Sequence, residues 1–330
     1  MEKVRLGLIG CGHQGRENLS PAARRVGGAE LVACADIDEA LARQTVQECG
    51  YQRWYADYRQ MLEREKLDAV MVVVPHSLLR EASLAAIGAG CHLLVEKPLA
   101  TTYQEGKEVV EAAQQAGRQI MVGYCQRYSI GRLAMKKLLD QGAIGDLVAI
   151  CAGKGSGPLS GWLVDPEWGG GQLLYLGVHV TDQVLWMLGR KAKRVTARTY
   201  NRTALGADDT TGYTVDFEGG IGAQFLCSMR VHGGFDFVEF LGTAGKVRCD
   251  WPSERVSVQS SLIPQYEHTT VVHPWSWSFY GQMMDDELRE FITALVEGKP
   301  NPIPGEAGLD VLKIIDAARA SAATATPVEI

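Results

Sequence analysis

Val4-Arg5-Leu6-Gly7-Leu8-Ile9, followed by Gly10-Cys11-Gly12-His13-Gln14-Gly15, is the stretch whose reading decides the fold. The first six residues are too few for a helix and too uniformly apolar for a strand with one wet face. They suit a parallel strand covered on both sides. The next six have the form G-x-G-x-x-G and open a helical stretch. In that context Gly10 permits a tight turn, Gly12 lets the backbone approach a pyrophosphate, and Gly15 allows helix to pack closely on strand. His13 and Gln14 occupy the variable positions of the same loop. Backbone N–H groups at the helix start, helped by the helix dipole, then face an anion.

The pattern continues outward from this loop. Short apolar runs at 31–35, 69–74, 92–95 and 120–122 alternate with helix-like segments at 38–49, 77–88 and 102–116. Strand alternating with helix predicts a doubly wound α/β domain over residues 1–123, with a parallel sheet. A dinucleotide-binding unit of this kind has an acidic residue about 20 positions beyond its last glycine, and Asp36 stands there. Its carboxylate can accept hydrogen bonds from a ribose diol. A 2′-phosphate would meet like charge, and the neighbours Ile37 and Asp38 offer it no cation. The expected cofactor is therefore NAD rather than NADP. Cys11 reads as a small side chain packed beneath it.

After residue 123 the texture changes. Helices fit 131–139 and 171–188, a strand fits 147–153, and alternating segments follow at 213–217, 222–227, 235–241, 246–249 and 255–258. Glu218-Gly219-Gly220 is a hairpin turn signal. Two last helices fit 282–298 and 306–322, separated by the Pro-rich 299–304. Residues 124–330 are expected to form an α/β domain with a large, mostly antiparallel open sheet, the last helices packing back on the first domain.

Composition excludes several functions. Of 330 residues 46% are apolar and 22% charged, an ordinary globular balance. Thirty-three basic against 39 acidic residues leave −6, which argues against nucleic acid as a partner. The basic run at 190–194 reads as a solvated loop leading into a strand. No apolar stretch approaches the roughly 18 residues of a membrane span, and the start runs into a strand without a signal-peptide pattern. The eight cysteines are scattered with no C-x-x-C. Reduced thiols, a cytoplasmic location and no metal site are expected.

Glu96-Lys97-Pro98 follows the fourth strand run, at the strand end where open α/β sheets bind ligands. A lysine there can polarise a carbonyl or stabilise an alkoxide formed as hydride leaves. Glu96 can hold its ammonium, and Pro98 stiffens the turn. Together with Gly10–Gly15, Asp36, Pro75-His76, Gly123-Tyr124-Cys125-Gln126-Arg127, the run Gly169-Gly170-Gly171-Gln172-Leu173-Leu174-Tyr175-Leu176-Gly177-Val178-His179 and Gly242-Thr243-Ala244-Gly245, this motif makes the chain resemble the Gfo/Idh/MocA oxidoreductases, the family of glucose–fructose oxidoreductase and inositol dehydrogenase.

The resemblance spans nearly the whole chain. It implies a Rossmann domain plus an α/β domain whose open sheet makes homodimers or homotetramers, and hydride exchange between a nicotinamide and a secondary alcohol or ketone of a sugar, sugar derivative or cyclitol. It matches Lys97 to the family's catalytic lysine and His179 to its proton-transferring histidine, a residue type suited to proton transfer near neutrality. Pro75, His76, Glu96 and Arg127 are thereby expected beside the cofactor, and Tyr124, Arg127, Asp182, Lys97 and His179 beside the substrate. An interdomain salt bridge is the plain alternative for Arg127.

One position departs from the family pattern D-x-G-x-H, because Tyr175 stands where the acid belongs. Four residues before His179 on a helix, it shares that face and can hydrogen-bond a hydroxyl or relay a proton, though a phenol is no anion at neutral pH. Asp182, three residues after His179, can orient the imidazole instead. The departure keeps two other functions open: an NAD-retaining glycosidase working by transient oxidation, and a non-enzymatic nicotinamide-sensing regulator. Trp162, Trp168 and His273-Pro274-Trp275-Ser276-Trp277 read as core or interface packing, with a sugar-stacking wall as the alternative.

Overall fold

A computed structural model of the chain describes residues 3–201, 206–271 and 278–330. The aromatic run 273–277 lies outside them. The chain divides into two compact units, one of Met1–Cys125 with Tyr280–Asp310, the other of Gln126–Phe279 with Val311–Ile330.

The first unit holds six parallel strands, β1 Val4–Ile9, β2 Ala29–Ala35, β3 Arg53–Tyr55, β4 Ala69–Val72, β5 His92–Glu96 and β6 Ile120–Gly123, in the order β3-β2-β1-β4-β5-β6. Every residue of β4 and β6 is buried, as strands covered on both faces require. The connecting helices are α1 Ser20–Val26, α2 Glu39–Cys49, α3 Tyr58–Arg64, α4 Leu79–Gly88 and α5 Tyr103–Ala116. Their ends follow from local chemistry. The Asp38 carboxylate accepts from the Ala40 and Leu41 N–H groups and Thr102 Oγ1 from that of Glu105, satisfying donors no helix can satisfy itself. Gly50 and Gly117 end α2 and α5 in the left-handed conformation. Two elements escape the sequence pattern, β3 and α3. The former has only three residues, with Arg53 exposed, and carries no apolar run.

In the second unit α6 Ile130–Asp140 precedes β7 Leu147–Gly155, and α7 Val178–Leu188 precedes β8 Ala192–Tyr200, β9 Thr210–Phe217, β10 Ile221–Ser228, β11 Phe235–Gly242, β12 Gly245–Asp250, β13 Arg255–Ser260 and β14 Thr270–Val271. After α8 Ser278–Glu297 and α9 Gly305–Thr324, β15 Val328–Glu329 completes a nine-stranded sheet, β14-β13-β12-β11-β7-β10-β9-β8-β15. All its neighbours pair antiparallel except β7 with β10. Ala223, Phe225, Cys227, Val238, Phe240, Val247 and Cys249 are buried on one face. Leu226 and Arg248 alternate onto the other, where the Arg248 guanidinium lies 4.1 Å from the Phe237 ring.

The chain returns to the first unit through α8. Its buried Leu288, Phe291 and Ile292 pack there, and Ile292 crowds Gly28 (φ +74°), where a Cβ would lie 3.0 Å from Cγ2. Beyond α8, the Val122 N–H donates to Ile303 O at 2.9 Å and Asn301 Nδ2 to Ile120 O at 2.9 Å, covering the edge of β6.

Candidate active site

Parallel strands deliver their carboxyl ends to one edge of a sheet, so residues far apart in sequence meet there. At that edge of the first unit stand the glycine turn after β1, Asp36 after β2, Pro75 and His76 after β4, Glu96 and Lys97 at β5, and Tyr124 after β6.

The three glycines of the turn have three different surroundings. Gly10 has φ +96°, and a Cβ there would sit 2.0 Å from Val73 O. A Cβ on Gly15 would sit 2.4 Å from Gly10 O. Nothing lies within 4 Å of one on Gly12, which leaves its backbone open to a ligand. The helix that follows begins as a π turn, Gln14–Leu19, a winding often found at functional sites. The Asp36 carboxylate is held in place by the Cys11 N–H at 2.7 Å and the Asp38 N–H at 2.9 Å. A fixed carboxylate beside an unobstructed glycine backbone fits the ribose and pyrophosphate of NAD. His13 is largely exposed and pairs with Glu17 at 2.9 Å, whereas His76 is buried.

Gln14 points from this turn to β5. Its Nε2 donates to Glu96 Oε1 at 2.7 Å and lies 3.6 Å from Met284 Sδ of α8. The other Glu96 oxygen accepts the Lys97 N–H at 3.1 Å. Burial pushes the Glu96 carboxyl up, while the Lys97 ammonium and these hydrogen bonds hold it down. Lys97, in a cis bond to Pro98, is half-buried. Tyr124 is 1% exposed and presents almost no surface to a ligand.

The second unit holds the remaining candidates, on and before α7. The helix expected over 171–188 starts differently from its pattern. Leu173–Gly177 is a π turn, and regular α-helix begins at Val178. The wider winding shifts Tyr175 off the α-helical register that a spacing of four assumes. Tyr175 is half-buried against Leu159, Val164, Leu176 and Met229. His179, in the first turn of α7, is half-buried as well. Trp162 is half-buried and Trp168 is 42% exposed.

Asp182 is committed to Arg127. Arg127 Nε donates to its Oδ2 at 3.0 Å and Nη2 to its Oδ1 at 2.5 Å, with the guanidinium 5.8 Å from the Trp186 ring. Burial pushes the Asp182 carboxyl up and Arg127 opposes the shift. One residue away, Gln183 Nε2 donates to Gln126 Oε1 at 2.5 Å, and Gln126 Nε2 to Asp236 Oδ2 at 3.0 Å. Asp236 also binds the fully buried Arg132 and Lys154. These bonds pin α7 to the segment that starts the unit.

Sequence reasoning missed Asp208. Its Oδ2 accepts the Leu173 N–H at 2.9 Å, and its carbonyl accepts that of Gln172 at 2.9 Å, so it caps the π turn that carries Tyr175. A Cβ on Gly171 (φ +121°) would lie 2.2 Å from Asp208 Oδ1. Burial pushes this carboxyl up, with the Leu173 N–H opposing. Nothing in the sequence links positions 208 and 173; only the glycine run 169–171 hinted at a close approach.

Comparison with known proteins gives these sites a context. Residues 4–124 match the model of the oxidoreductase family with an NAD-binding Rossmann fold, and residues 133–248 match the GFO/IDH/MocA C-terminal domain. Inositol 2-dehydrogenase 2 of Saccharopolyspora erythraea is 28% identical over 337 residues, spanning 99% of this chain and 96% of the relative. Inositol 2-dehydrogenase 1 of the same organism is 30% identical over 77% of this chain and 76% of its own. A levoglucosan dehydrogenase, solved in complex with NADH and levoglucosan, superposes with a TM-score of 0.90 over 99% of both chains. At 22% identity it speaks for the fold alone.

Proposed function

We propose, on the premise that this chain belongs to the Gfo/Idh/MocA family of NAD-binding oxidoreductases, that it oxidises a secondary alcohol of a sugar, sugar derivative or cyclitol through Lys97 and His179. The chain is an NAD-dependent oxidoreductase of CH–OH groups. NAD held by the glycine turn and Asp36 supplies the hydride acceptor. His179 takes the hydroxyl proton, a task for which imidazole suits neutral pH. Lys97 keeps a cation beside the oxygen as negative charge develops on it, and Glu96 holds that ammonium. Tyr175 donates a hydrogen bond to a substrate hydroxyl in place of the family's acid. Arg127 and Asp182 act as a pair that holds α7, and with it His179.

One observation carries this reading. Lys97 stands at the carboxyl end of β5, and its neighbour Glu96 is hydrogen-bonded to Gln14 of the glycine turn. The candidate charged catalyst and the coenzyme loop are joined within one unit. The test is nicotinamide absorbance during incubation with NAD and a panel of inositols, aldoses and sugar acids. Lys97→Ala should lower turnover by ~10²–10⁴-fold, the range for a positioned acid–base group, and turnover near that of the wild type would remove Lys97 from the chemistry. Asp36→Arg should weaken NAD and strengthen NADP in binding titrations. Unchanged preference would end the ribose assignment.

No described helix is long and apolar enough to cross a membrane. Leu226, 48% exposed, stands on the open face of the nine-stranded sheet, and pairing of two or four copies through that face is the assembly expected by light scattering.

A further inference from the structure

Glu287 of α8 is fully buried, and among the described residues neither of its carboxyl oxygens has a hydrogen-bond partner. It lies one turn from Met284, whose sulfur touches Gln14. Burial and the Glu96 charge both push the Glu287 carboxyl well above the usual carboxylate range. The neighbouring acids of α8 are occupied or outward. Asp285 is bound by Arg25, Asp286 by Arg289, and Glu290 is exposed. From the glycine turn the elements present Gln14 and Asn18, hydrogen-bonded to one another and both uncharged.

Two buried carboxyls that feel each other's charge do not both ionise. Which one keeps the proton follows from their partners. Glu96 has the Gln14 amide, the Lys97 N–H and the Lys97 ammonium to favour its anion. Glu287 has none of these, and a buried anion without donors is among the costliest groups a protein can hold. The proton therefore sits on Glu287, and the charges of Lys97 and Glu96 balance.

We propose that Glu96 and Glu287 are a one-proton carboxyl pair that answers the charge of the coenzyme, with Glu287 keeping its proton when the site is empty or holds NADH and releasing it to solvent when NAD+ binds. This rests on the function proposed above, which brings the nicotinamide to Lys97. A cationic ring arriving beside the Lys97 ammonium puts two positive charges against one negative, and ionisation of Glu287 supplies the second anion. When hydride arrives the ring becomes neutral and the pair takes a proton back. Alcohol oxidation liberates one proton, so that proton stays with the protein, through NADH release, until the next NAD+ binds.

The experiment measures the dissociation constants of NAD+ and NADH by tryptophan fluorescence between pH 6 and 8.5, together with proton release on binding in weakly buffered indicator solution. The wild type should bind NAD+ more tightly as pH rises, by up to about tenfold per pH unit, with NADH affinity nearly flat and protons released on NAD+ addition alone. Groups that titrate regardless of the ring move both curves together. Glu287→Gln, neutral and of the same shape as the protonated acid, should flatten the NAD+ curve and abolish the release. Equal slopes for NAD+ and NADH in the wild type would overturn the proposal, and this arm decides it if Glu287→Gln fails to fold. A slope that survives in a folded Glu287→Gln would overturn it too. Failure to bind either coenzyme would overturn the function itself, a result distinct from binding without a pH contrast.

Discussion

Two glycine-rich turns, Gly10–Gly15 and Gly169–Gly171, lead into helical segments that open with a π turn, and they are held by different means. In the first the constraint is backbone on backbone. Gly10 faces Val73 O, and Gly15 faces Gly10 O. In the second, Gly170 faces the backbone of Leu163 and Asp165, but Gly171 faces a side chain, the half-buried Asp208 carboxylate that caps Leu173. A turn set by its own backbone shows in the sequence as a glycine spacing. A turn set by a distant acid shows only as glycines without a reason.

Substitutions can break or sharpen this contrast. Gly10→Ala should have the largest effect on stability, about 2–5 kcal/mol, from left-handed strain and a clash that only backbone movement relieves. A denaturation midpoint near that of the wild type would mean the turn is softer than its 2.0 Å approach to Val73 O indicates. Asp208→Ala should cost less, about 1–3 kcal/mol, for leaving the Leu173 N–H without its partner. This turn should also respond to acid through Asp208. The folded Asp208 carboxyl binds its proton more tightly than the unfolded one, because burial raises it. Its ionisation therefore works against folding, and the protein gains stability from this group as pH falls from the raised folded value towards about 3.9. Asp208→Asn should remove that gain from the pH profile of the denaturation midpoint. Gly12→Ala should be the mildest, within about 0.5 kcal/mol, because nothing in the protein occupies that space. It should nevertheless weaken NAD, since only a ligand would meet the added methyl group. Intact NAD affinity would place the pyrophosphate elsewhere.

Much of the first unit was legible. Strands β1, β2, β4, β5 and β6 are buried on both faces, and a run of apolar residues is the direct consequence. The glycine turn and Asp36 were legible for a related reason, since a fixed chain geometry sets their spacing. β8 was read only as the strand a basic loop leads into, because Lys193, Arg194 and Arg198 occupy its solvent face. Tyr175 and His179 were read as lying on one regular α-helix, and the part that carries Tyr175 is wound as a π turn. Arg127 and Asp182 were read separately, as cofactor and substrate contacts, and the fold gives them to each other. Pairings of this kind depend on where two segments 55 residues apart come to lie, and no local pattern encodes that.

By itself the sequence determined the doubly wound sheet, the glycine turn, the place of Asp36 after β2 and the position of Lys97 at a strand end, because each follows from short-range geometry or from burial on two faces. Only the tertiary structure decided that Asp208 caps the turn before α7, that Asp182 is committed to Arg127, and that Glu287 lies buried within reach of the Glu96 charge, without a hydrogen-bond donor among the described residues. The physical reason is the same in each case. The energy of a buried charge depends on which groups surround it, and the elements that supply those groups come from remote parts of the chain.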